Sequence, residues 1–90
     1  MVTWDDAKRR SNLKKHDLDF AGCERVFDGP VITQDDDRAA YGEQRINLIG
    51  ILDGHVVHLT YTEREAGLHV ISLRKATKHE ARSYFSQIES

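Results

Sequence analysis

Arg74 and Lys75 stand side by side just ahead of Thr77-Lys78-His79-Glu80. Two adjacent cations at the entry to a helix suit an anion. A guanidinium offers a planar fork that binds two phosphate oxygens at once, and a helix N-terminus favours negative charge. Arg74 is therefore the strongest candidate for a phosphate clamp, although a pairing with Glu80 or with another carboxylate would account for it equally. Arg64, in the turn after Tyr61, offers either a second positive group or a solvated turn residue. Lys8, Asn12 and His16 recur every four residues, so one helix face presents all three. An imidazole titrates close to physiological pH, which makes His16 a candidate acid or base. The alternative has Asn12 and His16 tying the helix end to the next loop. Glu80 suits a general base, but it also completes a capping box with Thr77, which is reason enough for a Glu there.

Other polar residues carry less chemistry. Tyr61 reads as a core residue with its hydroxyl at the rim. His55 and His58 are three apart on a strand and face opposite ways, which removes them as a chelating pair. Asp35-Asp36-Asp37 lacks the spaced ligands and terminal Glu of a calcium loop; it reads as an exposed acidic loop, or as a contact for a basic partner segment. Cys23 is the only cysteine, so neither an internal disulfide nor a Cys-based zinc site is available. No metal and no cofactor is expected.

The elements that must position these groups follow from periodicity and turn chemistry. Asp5 or Asp6 caps a helix to about Lys15, and Asp19 caps a second through Phe27, with Phe20, Cys23, Val26 and Phe27 at helical spacings. Asp28-Gly29-Pro30 stops it. Val31–Thr33 is a short strand. Arg45–Leu52 and His55–Thr62 flank Asp53-Gly54, a dipeptide suited to a tight type I′ hairpin. Glu63–Gly67 turns the chain into a last strand, Leu68–Arg74, with Ile71 and Leu73 opposite Ser72 and Arg74. The capping box at Thr77 opens a helix bearing Ala81, Tyr84, Phe85 and Ile88. The expected class is α+β: two N-terminal helices, an antiparallel sheet of three to four strands, and one C-terminal helix, with the helices on one sheet face.

At 90 residues and 10.3 kDa the chain reads as a single domain, 1–90, with a small core and marginal stability. Its 39% hydrophobic content excludes disorder, and no apolar run approaches a membrane span. Met1–Asp6 lacks a signal-peptide layout, so a cytoplasmic location is expected. The net charge of −2 argues against nucleic acid, but its distribution does not. Residues 1–16 hold five basic and two acidic side chains, residues 66–90 hold four and two, and residues 17–65 hold four and eleven. Both ends are cationic and the middle is acidic. Lys8, Lys15 and Lys75 fall in the cationic ends.

Three ordered motifs resemble the BrnT toxins of type II toxin–antitoxin systems. They are Trp4-Asp5-x-x-Lys8-x-x-x-Asn12-x-x-Lys15-His16-x-x-x-Phe20, then Tyr61-Thr62-Glu63-Arg64, then Val70-Ile71-Ser72-x-Arg74-Lys75-Ala76-Thr77-x-x-Glu80-x-x-x-Tyr84. The resemblance implies a fold similar to RelE-type ribonucleases and an enzyme that cuts RNA to inhibit translation. It also implies a BrnA-type antitoxin in a hetero-oligomer, with DNA reached only through that antitoxin, and no membrane. Metal-free cleavage of this kind uses the substrate's own 2′-hydroxyl as nucleophile. On that basis Arg74, Arg64, Glu80 and His16 are the candidate catalytic residues, and Lys8, Lys15, Lys75 and Tyr61 the candidate RNA contacts. Where the family commonly has an Arg two residues before the Ile-Ser pair, this chain has His69; where it often has a His, the acidic triplet leads into Arg38-Ala39-Ala40. A weakened toxin that survives as a protein-interaction module and co-repressor is the rival reading.

Overall fold

The computed structural model describes residues 1–36 and 42–89. Its elements run β1 (Val2–Thr3), α1 (Asp6–His16), a 3₁₀ helix (Cys23–Asp28), β2 (Ile32–Asp36), β3 (Arg45–Leu52), β4 (His55–Arg64), β5 (Gly67–Lys75) and α2 (Lys78–Ile88). The α+β class holds. The sheet has five strands in the order β1-β5-β4-β3-β2, with β1 parallel to β5 and the other pairs antiparallel, against the expected three or four all-antiparallel strands. Two residues are too few to show alternation, so β1 leaves no periodic signal. Asp35 and Asp36 extend β2 rather than forming a loop. Asp37 and Arg38-Ala39-Ala40 lie outside the described residues.

The second N-terminal helix is a correction. Phe20, Cys23 and Val26 are all buried, and their spacing of three is the repeat of a 3₁₀ helix. An α-helix would also have turned Phe27 inward; instead it is 45% exposed. Asp19 does not cap an α-helix either. Its carboxylate accepts the Ala21 N–H at 3.0 Å and binds Arg9 through two nitrogens at 2.7 and 2.9 Å. The Asp53-Gly54 turn is as expected, with both residues at positive φ (50° and 83°).

A bulge decides the faces of β5. Thr60 pairs with Ser72 but Tyr61 pairs with Val70, so Ile71 is the extra residue. Val70 and Leu73, three apart, therefore both reach the core, where strict alternation would have placed Ile71 with Leu73. The core face of the sheet carries Leu48, Val57, Leu59, Tyr61, Val70 and Leu73, covered by Phe20, Cys23 and Val26. The other face carries Asn47, Ile49, His58, Thr60 and Arg74 by register, and α2 packs there. The helical segments thus lie on both faces, not one. Tyr84 is buried beneath α2 and donates its hydroxyl to the Pro30 carbonyl at 2.6 Å.

Candidate active site

α1 is stabilised by polar ends rather than by an apolar stripe. Asp5 caps it by accepting the Lys8 N–H at 3.1 Å, and Lys14, Lys15 and His16 occupy the last turn, where the helix dipole favours cations. Asp17 closes it in a left-handed conformation (φ 57°), its N–H donating to the Leu13 carbonyl at 2.9 Å. Leu13 is exposed, and the one buried side chain of the helix is Asn12. Its carboxamide donates to the Leu73 carbonyl at 2.8 Å, accepts the Leu73 N–H at 3.1 Å, and donates to the Leu18 carbonyl at 3.0 Å. Asn12 therefore pairs with β5 as a neighbouring strand would, just where the short β1 has ended.

That clamp fixes α1 against β5 and creates a shallow groove of about 230 Å³. Lys8, Ser11, Asn12, Lys15 and His16 line one side, and Ile71 and Ser72 the other. Lys8 and Lys15 are exposed and His16 is half-buried. The helical spacing of four thus separates into two jobs. Asn12 holds the helix, as one of the two sequence readings has it; Lys8, Lys15 and His16 converge on a bulged strand. Ser72, inside the quoted Val70-Ile71-Ser72 motif, is the lining residue that sequence reasoning did not single out. The signal for it was the bulge, which no local pattern reveals.

Arg74 lies two residues beyond Ser72. Its Nη1 and Nη2 bind the two carboxylate oxygens of Glu80 at 2.8 and 3.0 Å, and Nη1 also donates to the Lys75 carbonyl at 3.2 Å. Glu80 meanwhile accepts the Thr77 N–H at 2.9 Å and completes the capping box of α2. The hydrogen bond from Arg74 pulls the Glu80 carboxyl down to about 2 against the cost of burial, with the Thr77 N–H assisting. So weak a base takes up few protons at neutral pH. Glu80 as seen here orients Arg74 and caps a helix.

The remaining candidates are dispersed. Arg64 sits at the far end of β4 and binds Glu43 with contacts of 2.8 and 3.3 Å. Lys75 is exposed at the end of β5. Tyr61 is buried on the core face, edge-on to Phe27 at 6.4 Å between centroids, and burial raises its phenol. It stands on the opposite side of the sheet from Arg74. His69 ties β5 to β1, its Nδ1 lying 2.8 Å from the Thr3 hydroxyl, with its imidazole pKa lowered first by burial and then by Arg64. Cys23 is buried in the core, where desolvation lifts its thiol to about 11. No helix among the described residues is long and apolar enough to cross a membrane.

A family model described as the ribonuclease toxin, BrnT, of type II toxin–antitoxin systems matches residues 4–80. No curated protein matches the chain.

Proposed function

We propose a function from one premise: the chain belongs to the BrnT family of ribonuclease toxins. It cuts RNA without a metal ion, in the groove between α1 and β5. The 2′-oxygen attacks the adjacent phosphorus and the bond to the 5′-oxygen breaks, leaving a 2′,3′-cyclic phosphate and a 5′-hydroxyl. One proton leaves the 2′-hydroxyl and one reaches the 5′-oxygen; His16 carries out one of these transfers and solvent water the other. Lys8 and Lys15 offset the negative charge that builds on the phosphoryl oxygens. Arg74, with Lys75 beside it, completes the cationic rim. Tyr61 is left out because it is buried on the other face, and Arg64 because Glu43 engages its guanidinium.

The observation that carries this reading is the convergence of Lys8, Lys15 and His16 on Ser72. A BrnA-type antitoxin covers the site in a hetero-oligomer, and DNA is reached through that antitoxin. The test is cleavage of end-labelled RNA by the purified chain in the presence of EDTA. Cleavage is expected to persist, and His16→Ala is expected to lower it roughly 10²–10⁴-fold, the range for a general acid or base. Loss of activity on adding EDTA would remove the metal-free mechanism. Undiminished activity in His16→Ala would remove this site.

One observation favours the rival reading of a weakened toxin that serves as an interaction module and co-repressor. Arg74 and Arg64 are each held by a carboxylate, so their charge is already partly spent. Expression without an antitoxin separates the two: an active toxin arrests growth, a disarmed one does not.

A further inference from the structure

The proposed reaction leaves a second cavity unused. About 230 Å³ lies between α2 and the sheet face that carries Arg74, bounded by Gln34, Asn47 and His58 from the strands and by Ser83, Tyr84 and Gln87 from the helix. That volume is below the roughly 300–1,000 Å³ of sites for drug-sized ligands. It suits one flat ring. The His58 imidazole and Ile49, both half-buried, supply aromatic and apolar surface, while the carboxamides of Gln34, Asn47 and Gln87 supply polar edges.

Asn47 is the best-oriented of these amides. Its Oδ1 accepts the Thr60 hydroxyl at 2.8 Å, which leaves the Nδ2 donors as the part offered to the cavity. Glu80 also lines the cavity, but both its oxygens are engaged by Arg74. A cationic side chain from a partner would therefore find no available carboxylate to meet it. A nucleobase fits better: a neutral aromatic disc with hydrogen-bonding edges, able to stack and to be read at the same time.

Register ties the cavity to the groove. His58 lies opposite Arg74, and Thr60 opposite Ser72. Ser72 lines the groove with Lys8, Lys15 and His16, while Glu80 joins Arg74 to the cavity wall. Ser72 and Arg74 are two residues apart on one strand, about 6.6 Å. That is comparable with the step between phosphates in an extended single strand. We infer that the cavity under α2 receives one base of single-stranded RNA whose neighbouring phosphate crosses Ser72 and Arg74. This rests on the ribonuclease reading of the groove. A base locked in a duplex does not present a free face and edge together, so the substrate at this position is unpaired.

The test uses trinucleotides with 2′-O-methyl groups, which lack the nucleophile and stay intact, varied only at the middle base. Titrated into isotope-labelled protein, they are expected to shift the Asn47 side-chain amide and His58 ring signals. The tightest and weakest bases should differ by about tenfold in Kd, the discrimination one good base contact gives. Ser83→Trp, at an exposed position on the rim, should abolish that spread without disturbing the fold. Asn47→Leu should also abolish it, with a loss of stability because the Thr60 hydroxyl loses its acceptor. Equal Kd for all four bases would overturn the base site, as would a spread that survives Ser83→Trp. The tightest sequence is then supplied as unmodified RNA. Base discrimination without cleavage would sink the ribonuclease reading alone, and cleavage without discrimination would sink the base site alone.

Discussion

Asn12 and Glu80 each bind two partners that belong to different elements, and both show how a single polar residue can carry architecture. Asn12 is only 8% exposed and satisfies both backbone groups of Leu73 as well as the Leu18 carbonyl. Asn12→Leu strands those groups, each at about 1–3 kcal/mol if left unpaired. Since water can reach some of them, a net loss of about 2–4 kcal/mol is expected in urea unfolding, with an unchanged m-value. Glu80 joins α2 to Arg74, and its carboxyl lies near 2 rather than at 4.5. Asp19 is likewise held near 2 rather than 3.8, first by its hydrogen bond from Arg9 and then by the Ala21 N–H. Both carboxyls are depressed in the folded state, so their stabilisation is full above the unfolded values and lost as pH falls towards 2. Unfolding midpoints should therefore drop from about pH 5 downwards, and Glu80→Gln should flatten that slope. An equally steep acid slope in the variant would show that the Arg74–Glu80 pair contributes little.

At the scale of elements, the close approach of the 3₁₀ helix to β3 places a strict demand on Gly50. A Cβ there would lie 2.8 Å from Val26 Cγ2 and 3.1 Å from Val31 Cγ1. Val26 is buried and cannot swing aside. Gly50→Ala should cost about 1–3 kcal/mol, the usual range for overpacking a core, and thermal unfolding will read it as a lower Tm. The same contact explains why the 18–28 segment resisted sequence reading. An apolar pattern at 20, 23 and 26 is compatible with both α and 3₁₀ periods, and only packing on β3 selects the tighter one, which leaves Phe27 outside the core. Elements with local determinants were legible throughout. The Asp5 cap, the Asp53-Gly54 hairpin and the Thr77–Glu80 capping box depend on neighbours within three residues, and each is found as read.

Over the whole molecule the uneven charge acquires a geometry. α1 brings Lys8 and Lys15 from the cationic N-terminal stretch against β5 from the cationic C-terminal stretch. Two of the acidic residues of the middle, Glu43 and Asp53, hold Arg64 and Arg25 in surface ion pairs. Such pairs contribute at most about 1 kcal/mol to stability, whereas Lys8 and Lys15 are among the cations that meet no carboxylate in the described contacts. RNA affinity should accordingly be weak and moderately dependent on salt. Each lysine–phosphate contact adds about −0.7 to the slope of log K against log salt on single strands, so Lys8→Ala with Lys15→Ala should make that slope shallower by about 1.4. A slope unchanged by the double substitution would place the binding surface elsewhere.

The sequence by itself determined the α+β class, most strand boundaries, the caps and turns, and the three motifs by which the family is recognised. These are local properties, carried by residues a few positions apart. Only the tertiary structure decided which face each helix covers, where the fifth strand lies, and which polar residues meet. The physical reason is that a one-residue bulge at Ile71 and a side chain pairing with a strand 61 residues away have no periodic signature. Arg74, the first residue to suggest chemistry, turned out to be bound to Glu80 six positions on. Asn12, which shares a helix face with Lys8 and His16, turned out to be the residue that ties α1 to Leu73 and to the Leu18 carbonyl.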